Sequence, residues 1–231
     1  MKGTLFGVGV GPGDPELMTL KAVRMIRENE VIAVPGADVR ETVAYKIAVQ
    51  AVPELADKEL LPIYMPMTHD ADELERNHAK GAKTLESYLD QGRNVVFLTL
   101  GDPCVYSTFS YLQHRVEADG YHTELVSGIT SFCAVAARLN MGLAEMAEPL
   151  HVIPATYKAE EMDELLKLPG TKVLMKSGKR LKKVRDSILR SGQNAVMIEN
   201  CGMPEEKIYA SAKEIPEEAG YYTLLVVKDK K

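Results

Sequence analysis

Residues 7–14 read Gly-Val-Gly-Val-Gly-Pro-Gly-Asp, and no other segment restricts the fold as strongly. Glycine at every second position lets the backbone approach a ligand, or another backbone, where a side chain would intervene. The apolar run Thr4–Val10 predicts a first strand. Asp14 as N-cap and Pro15 as first helical residue predict a helix to about Glu28, with Met18, Ala22, Met25 and Ile26 at helical spacing. Spacing excludes two familiar ligand loops. A dinucleotide fingerprint begun at Gly7 or Gly9 needs glycine at position 12 or 14, where Pro12 and Asp14 stand. A Walker loop ending at Gly178-Lys179 needs glycine at 173 and a hydroxyl at 180, where Val173 and Arg180 stand.

The rest of the chain alternates β-branched runs with helical stretches, the pattern of an α/β fold. In the first half it predicts a strand at Val31–Val34, a helix at Glu41–Val52 and a proline-rich connection at 53–68. A long helix at Asp70–Gln91 follows, with Leu74, His78, Ala82, Leu85 and Leu89 on one stripe and Gly92 ending it. Next come a strand at Asn94–Leu100, buried on both faces, and a helix at Tyr106–Ala118. Beyond the Asp119-Gly120 turn, strands are predicted at Thr123–Val126, Leu150–Pro154, Lys172–Met175, Ala195–Glu199, Lys207–Ser211 and Tyr222–Val227. Helices are predicted at Thr130–Leu139, Glu160–Leu168 and Arg180–Arg190. That turn is the expected boundary between two α/β domains, 1–118 and 119–231.

A chain of 231 residues with 45% hydrophobic and 26% charged residues carries enough apolar side chains for a core without metal or disulfide staples. Its net charge of −5 disfavours a nucleic-acid partner. No run approaches the ~20 apolar residues of a membrane span. The start carries no secretory signal, and the separated Cys104, Cys133 and Cys201 suit a reducing compartment; the expected location is the cytoplasm.

Two further segments follow strands. In Leu98-Thr99-Leu100-Gly101-Asp102-Pro103-Cys104-Val105-Tyr106-Ser107-Thr108, Asp102 is either a turn cap or a grip for an amine or ribose hydroxyl. In Ser127-Gly128-Ile129-Thr130-Ser131, the hydroxyls cap a helix or bond a ligand. There is no Gly-x-Ser-x-Gly elbow and no His-x-x-x-His pair, so a hydrolase triad or helix zinc site and its metal are not expected. Cys104 reads as a small buried residue and His78 as a core or rim histidine. The basic set Lys176, Lys179, Arg180, Lys182, Lys183 and Arg185 reads as a solvated face, or more sharply as a contact for a polycarboxylate.

Taken in order, GVGVGPGDPELMTLKAV, LTLGDPCVYSTF, SGITSFCAVAA, VLMKSG and ENCGMPEEKIYASA resemble the motifs of the tetrapyrrole methyltransferases over almost the whole chain. TLGDPCVYSTF, LPIYMPMTHD and VLMKSGK are most similar to the branch that methylates C20 of precorrin-2 or cobalt-factor II. The resemblance implies two α/β domains with S-adenosylmethionine in the cleft between them, and a homodimer. It implies cofactor contacts at Pro12, Leu100, Gly101, Asp102, Val105, Tyr106, Thr130, Ser131, Lys176, Tyr209 and Ala210. Lys176 stands where many members have methionine, and Ala210 where others have glycine. Sister enzymes acting on uroporphyrinogen III look to end the second strand in aspartate; here Val34-Pro35-Gly36 stands there. An activated methyl donor calls for alignment rather than a covalent intermediate, so no essential base is expected. Tyr106 is the candidate for an orienting or proton-handling role. Arg40, His69, Lys176 and Lys179 are the candidates for binding substrate carboxylates. Other methyl acceptors on the same fold, including another precorrin or a protein side chain in diphthine formation, would keep the cofactor motifs. A regulatory nucleotide-binding module would leave the later motifs unexplained.

Overall fold

The computed structural model describes residues 1–68 and 70–229. The chain forms two compact units, Met1–Thr130 and Ser131–Lys231.

In the first unit, β1 (Thr4–Gly9), β2 (Val31–Pro35), β3 (Glu59–Ile63), β4 (Val95–Thr99) and β5 (His122–Val126) form a parallel sheet in the order β3-β2-β4-β1-β5. Side chains alternate between the two faces of a strand. Phe6, Val8, Ile32, Val34, Val96 and Leu98 pack on one face with Ala22, Met25 and Ile26 of α1 (Leu20–Glu28) and Ala44, Ile47 and Ala48 of α2 (Val43–Ala51). Leu5, Val31, Ala33, Val95 and Phe97 face the other way. They meet Ala82, Leu85 and Leu89 of α3 (Ala71–Leu89) and Phe109, Leu112 and Val116 of α4 (Phe109–Ala118). A parallel sheet covered on both faces requires such unbroken apolar strands. Each fully buried Leu, Ile or Phe contributes about 1.5–3 kcal/mol.

The second unit is a mixed sheet in the order β6-β7-β10-β8-β9, built from β6 (Leu150–Pro154), β7 (Thr171–Met175), β8 (Asn194–Glu199), β9 (Lys207–Tyr209) and β10 (Thr223–Lys228). β6 and β7 run parallel, whereas β10 is antiparallel to both neighbours. Leu174, Met197, Leu225 and Val227 pack with α6 (Met162–Leu165) and α7 (Leu181–Ser191). Val173, Ile198, Leu224 and Val226 pack with Val135 of α5 (Ser131–Arg138).

Several boundaries depart from the sequence expectation. The Asp14-Pro15 signal starts only the single 3-10 turn Pro15–Leu17, where Asp14 Oδ1 accepts the Glu16 N–H at 2.8 Å. α1 begins later because Thr19 is its cap, with Oγ1 accepting the Ala22 N–H at 3.1 Å. The 53–68 connection contains a strand, β3. The helix after the GDP turn starts at Phe109 rather than Tyr106. The units divide between Thr130 and Ser131 rather than at Asp119-Gly120, because β5 lies beyond that turn and pairs with β1. No helix among the described residues is long and apolar enough to cross a membrane.

Candidate functional site

In the first sheet the chain passes from β1 across β4 to β2, and from β4 across β1 to β5. The connections after these neighbouring strands therefore leave in opposite directions. Open α/β sheets bind ligands outside such a switch point, at the carboxyl ends of the strands. All three glycine-bearing loops lie there.

The Gly11 N–H donates to the Gly101 carbonyl at 3.2 Å, and the Gly101 N–H donates back to the Gly11 carbonyl at 2.8 Å. Both glycines are left-handed, with φ of 77° and 71°. Gly128, after β5, comes against this pair. A Cβ on Gly128 would lie 2.1 Å from the Gly101 carbonyl oxygen, and one on Gly9 would lie 2.5 Å from the same atom and 2.7 Å from the Gly128 nitrogen. These glycines let three loops meet backbone to backbone. Pro12 is buried at this junction's edge of the sheet.

Asp102 is buried there, 8% exposed. Its Oδ1 accepts the Cys104 N–H at 2.7 Å and its Oδ2 accepts the Gly128 N–H at 2.9 Å. The side chain that the sequence offered as a turn cap or a ligand grip makes the turn-cap bond and holds a second protein amide besides. Cys104, expected to be buried, is exposed. Partial desolvation and the neighbouring Asp102 carboxylate push its thiol above the ordinary value, which disfavours the nucleophilic thiolate.

The segment after Cys104 is anchored at its far end too. Thr99 and Ser107 hydroxyls lie 2.9 Å apart, and Ser107 Oγ accepts the Phe109 N–H at 3.1 Å. Between the anchors Tyr106 is held at φ 50° and is exposed. A bulky side chain in this region is strained by roughly 1–3 kcal/mol, a pattern that concentrates at ligand sites. Leu100 and Val105 are half-buried on either side of the turn.

Thr130 ends the third loop. Its Oγ1 is buried with no hydrogen-bond partner, a state it shares with only Glu86 Oε1 among the described residues. An unsatisfied buried hydroxyl beside a backbone-lined junction fits a polar ligand that completes it. Arg40 is exposed on the turn after β2, its guanidinium donating to the Ala56 carbonyl at 3.3 Å. β2 ends in Val34-Pro35, and the next carboxylate, Asp38, accepts the Arg40 N–H at 3.0 Å. His69 lies outside the described residues.

In the second unit, Ser131 opens α5. Lys176 follows β7 with φ 57°, and its carbonyl accepts the Thr156 hydroxyl. A Cβ on Gly178 would lie 2.5 Å from the Gly220 carbonyl oxygen, so this turn requires glycine against the 219–220 backbone. Lys179 is exposed in the 3-10 turn Gly178–Arg180. The following cations have acidic partners: Lys182 pairs with Glu217 at 2.9 Å, Lys183 with Glu160, and Arg185 with Glu217 at 3.3 Å. Lys182 is exposed and Lys183 partly so, whereas Arg185 is largely buried and also donates to the Ile215 carbonyl at 3.3 Å. Tyr209 is half-buried at the end of β9, and the exposed Ala210 donates its N–H to Glu214 at 3.2 Å. Sequence reasoning missed Gly9, Gly128, Thr99 and Ser107 as parts of the site. All four stood inside quoted motifs, but nothing local to them announced which group each one touches.

A switch-point junction of glycine-lined loops with an open hydroxyl defines a small-molecule-binding α/β protein. The chain belongs to the tetrapyrrole (corrin/porphyrin) methylase family, whose profile matches residues 4–216. It is 30% identical to the precorrin-2 C(20)-methyltransferase of a Sinorhizobium species, over 97% of this chain and 95% of that one. It is 29% identical to the cobalt-precorrin-2 C(20)-methyltransferase of Salmonella typhimurium, over 98% and 97%. Among solved structures, a cobalt precorrin-4 methyltransferase superposes with TM-score 0.75 at 21% identity, covering 97% of this chain and 94% of that one. A uroporphyrin-III C-methyltransferase from Thermus thermophilus, complexed with S-adenyl homocysteine, gives TM-score 0.70 at 22% identity, covering 98% and 97%. At these identities the two structures speak for the fold.

Proposed function

We propose that this chain transfers a methyl group from S-adenosylmethionine to C20 of precorrin-2, or of its cobalt-bearing counterpart, in corrin synthesis. The carrying observation is the full-length similarity to enzymes of that name, in a chain whose strand-end loops leave the Thr130 hydroxyl buried and without a partner among the described residues.

S-adenosylmethionine supplies a methyl group already activated by its sulfonium. The protein's work is then to bind, align and exclude water. The Gly11–Gly101 pairing engages both main-chain groups of Gly101, which is a cofactor contact by resemblance alone, and holds Pro12 and Leu100 beside it at the strand ends, where Thr130 offers its hydroxyl. Val105 and Tyr106 flank them on a segment fixed at both ends. Ser131, Lys176, Tyr209 and Ala210 are cofactor contacts by resemblance alone. The accepting carbon is electron-rich, and its proton leaves after the methyl arrives, so no side chain is required as an essential base. Tyr106 is proposed to orient the reactants. Arg40, His69, Lys176 and Lys179 are proposed to meet substrate carboxylates, which a chain of net charge −5 must bind with local cations. A cytoplasmic homodimer is the proposed working form.

The test is methyl transfer followed by mass spectrometry. The purified chain is incubated anaerobically with S-adenosylmethionine and, in parallel, precorrin-2 and cobalt-factor II. One added methyl, located at C20 by NMR, supports the reading and selects the substrate. No gain on either, with S-adenosylhomocysteine still bound, moves the activity to another acceptor on the same fold.

A further inference from the structure

Asp102 is placed to do something other than touch a ligand. Its two carboxylate oxygens join the loop after β4 to the loop after β5: Oδ1 holds Cys104 N–H at 2.7 Å, and Oδ2 holds Gly128 N–H at 2.9 Å. A second tether pulls the same loop from another side, since the Thr19 hydroxyl donates to the Ser127 carbonyl at 3.3 Å. Glycine at 9, 101 and 128 brings the three backbones close enough for the Asp102 bond to form. Thr130, two positions beyond Gly128, ends this tethered stretch, and its buried Oγ1 has no hydrogen-bond partner among the described residues.

We infer that Asp102 is a positioning residue: its carboxylate fixes Gly128 and thereby sets where the Thr130 hydroxyl meets the bound cofactor. The aspartate acts through the loop, and its contribution to cofactor affinity vanishes when Thr130 has no hydroxyl to place. This rests on the cofactor reading above.

The experiment is a double-mutant cycle with a readout that needs no cofactor. Asp102→Asn keeps the size of the side chain but replaces one acceptor by an NH2 group, which cannot accept an amide proton. Exchange of the Gly128 amide, followed by NMR on the ligand-free chain, is slow in the parent and fast in Asp102→Asn. The Kd for S-adenosylhomocysteine rises about tenfold in Asp102→Asn, the size of one lost hydrogen bond to a charged group. Thr130→Val weakens binding comparably, and the double variant is no weaker than the worse single one. Thr19→Val removes the Ser127 tether, together with the α1 cap, without touching Asp102. It raises the Kd by a smaller factor, again only when Thr130 is intact, and it serves if Asp102→Asn does not fold. Weakened binding with Gly128 still protected, or factors that multiply in the double variant, overturns the proposal in favour of direct contact. An unchanged Kd in Asp102→Asn overturns it outright. If the parent itself binds no S-adenosylhomocysteine, the cofactor reading fails, and Gly128 exchange still reports whether Asp102 fixes the loop.

Discussion

His78 of α3 lies flat against Tyr111 of α4, with ring centroids 4.8 Å apart and planes 8° apart. The imidazole is 8% exposed. Burial lowers its pKa first and the nearby Arg115 lowers it further, while Glu75 pulls the other way. The folded state therefore favours neutral His78, while the unfolded chain takes up its proton near pH ~6.5. The stability this contributes is present above the unfolded pKa and is lost as pH falls through the folded one. The urea midpoint should fall from about pH 7 to about pH 5, and His78→Phe, which keeps the stack, should flatten part of that slope. An unchanged slope in His78→Phe would assign the acid sensitivity elsewhere.

The glycine junction sets a packing prediction. A methyl group on Gly128 would lie 2.1 Å from the Gly101 carbonyl oxygen, backbone that has no side-chain freedom to yield. Gly128→Ala should cost about 1–3 kcal/mol or more in urea unfolding. Gly120 is the control, since it has φ 79° and nothing within 4 Å of its would-be Cβ. Gly120→Ala meets only the left-handed penalty of about 1–2 kcal/mol. Equal losses with intact cofactor binding in both would show that the loops separate easily.

The same contacts show what the residue pattern could and could not reveal. Glycine alternation marked the first loop, but its partners lie far along the chain: the Asp102–Gly128 bond alone spans 26 positions. Asp102 read equally as a turn cap or a ligand group because a buried aspartate amide clamp and a ligand grip have one local signature. Strand β3, Glu59-Leu60-Leu61-Pro62-Ile63, was hidden by its proline, which sheets tolerate at an edge, and β3 is one of the two edge strands of its sheet. β4 and β10 were legible because strands buried along their length read as unbroken apolar runs. The Asp14 cap was also real, but a cap reports where a turn begins, and not how far the helix continues.

Lys172 is fully buried in β7, its ammonium bonded to Asp229 Oδ1. That carboxylate also accepts the Gly170 N–H at 2.8 Å and the Gln193 amide at 2.8 Å, and Lys172 followed by Gly170 holds its pKa below the usual range. Removing one partner of a buried pair strands the other, whereas replacing the ion by an apolar side chain does not. Asp229 is 45% exposed, so water discounts the effect. Asp229→Ala should destabilise by about 1–3 kcal/mol. Lys172→Met should stay within about 1 kcal/mol of the parent or gain. The opposite order in urea unfolding would show that the lysine, and not its pairing, carries the stability.

Lys176 separates two roles that one residue is proposed to hold. Its backbone sits at φ 57°, and its carbonyl is fixed by the Thr156 hydroxyl whatever the side chain is. Alanine would add left-handed strain there, while asparagine tolerates that region and removes the charge. Lys176→Asn should therefore keep the turn, and with it any main-chain contact to cofactor. It should lose one charge-assisted bond to a substrate carboxylate. The expected result is a KM for the tetrapyrrole raised about tenfold, with the Kd for S-adenosylhomocysteine within about twofold of the parent. Lys176→Ala should show the same KM change together with a lower melting midpoint. A loss confined to cofactor affinity would mean that the lysine side chain serves the cofactor, and the substrate role would pass to Arg40 and Lys179.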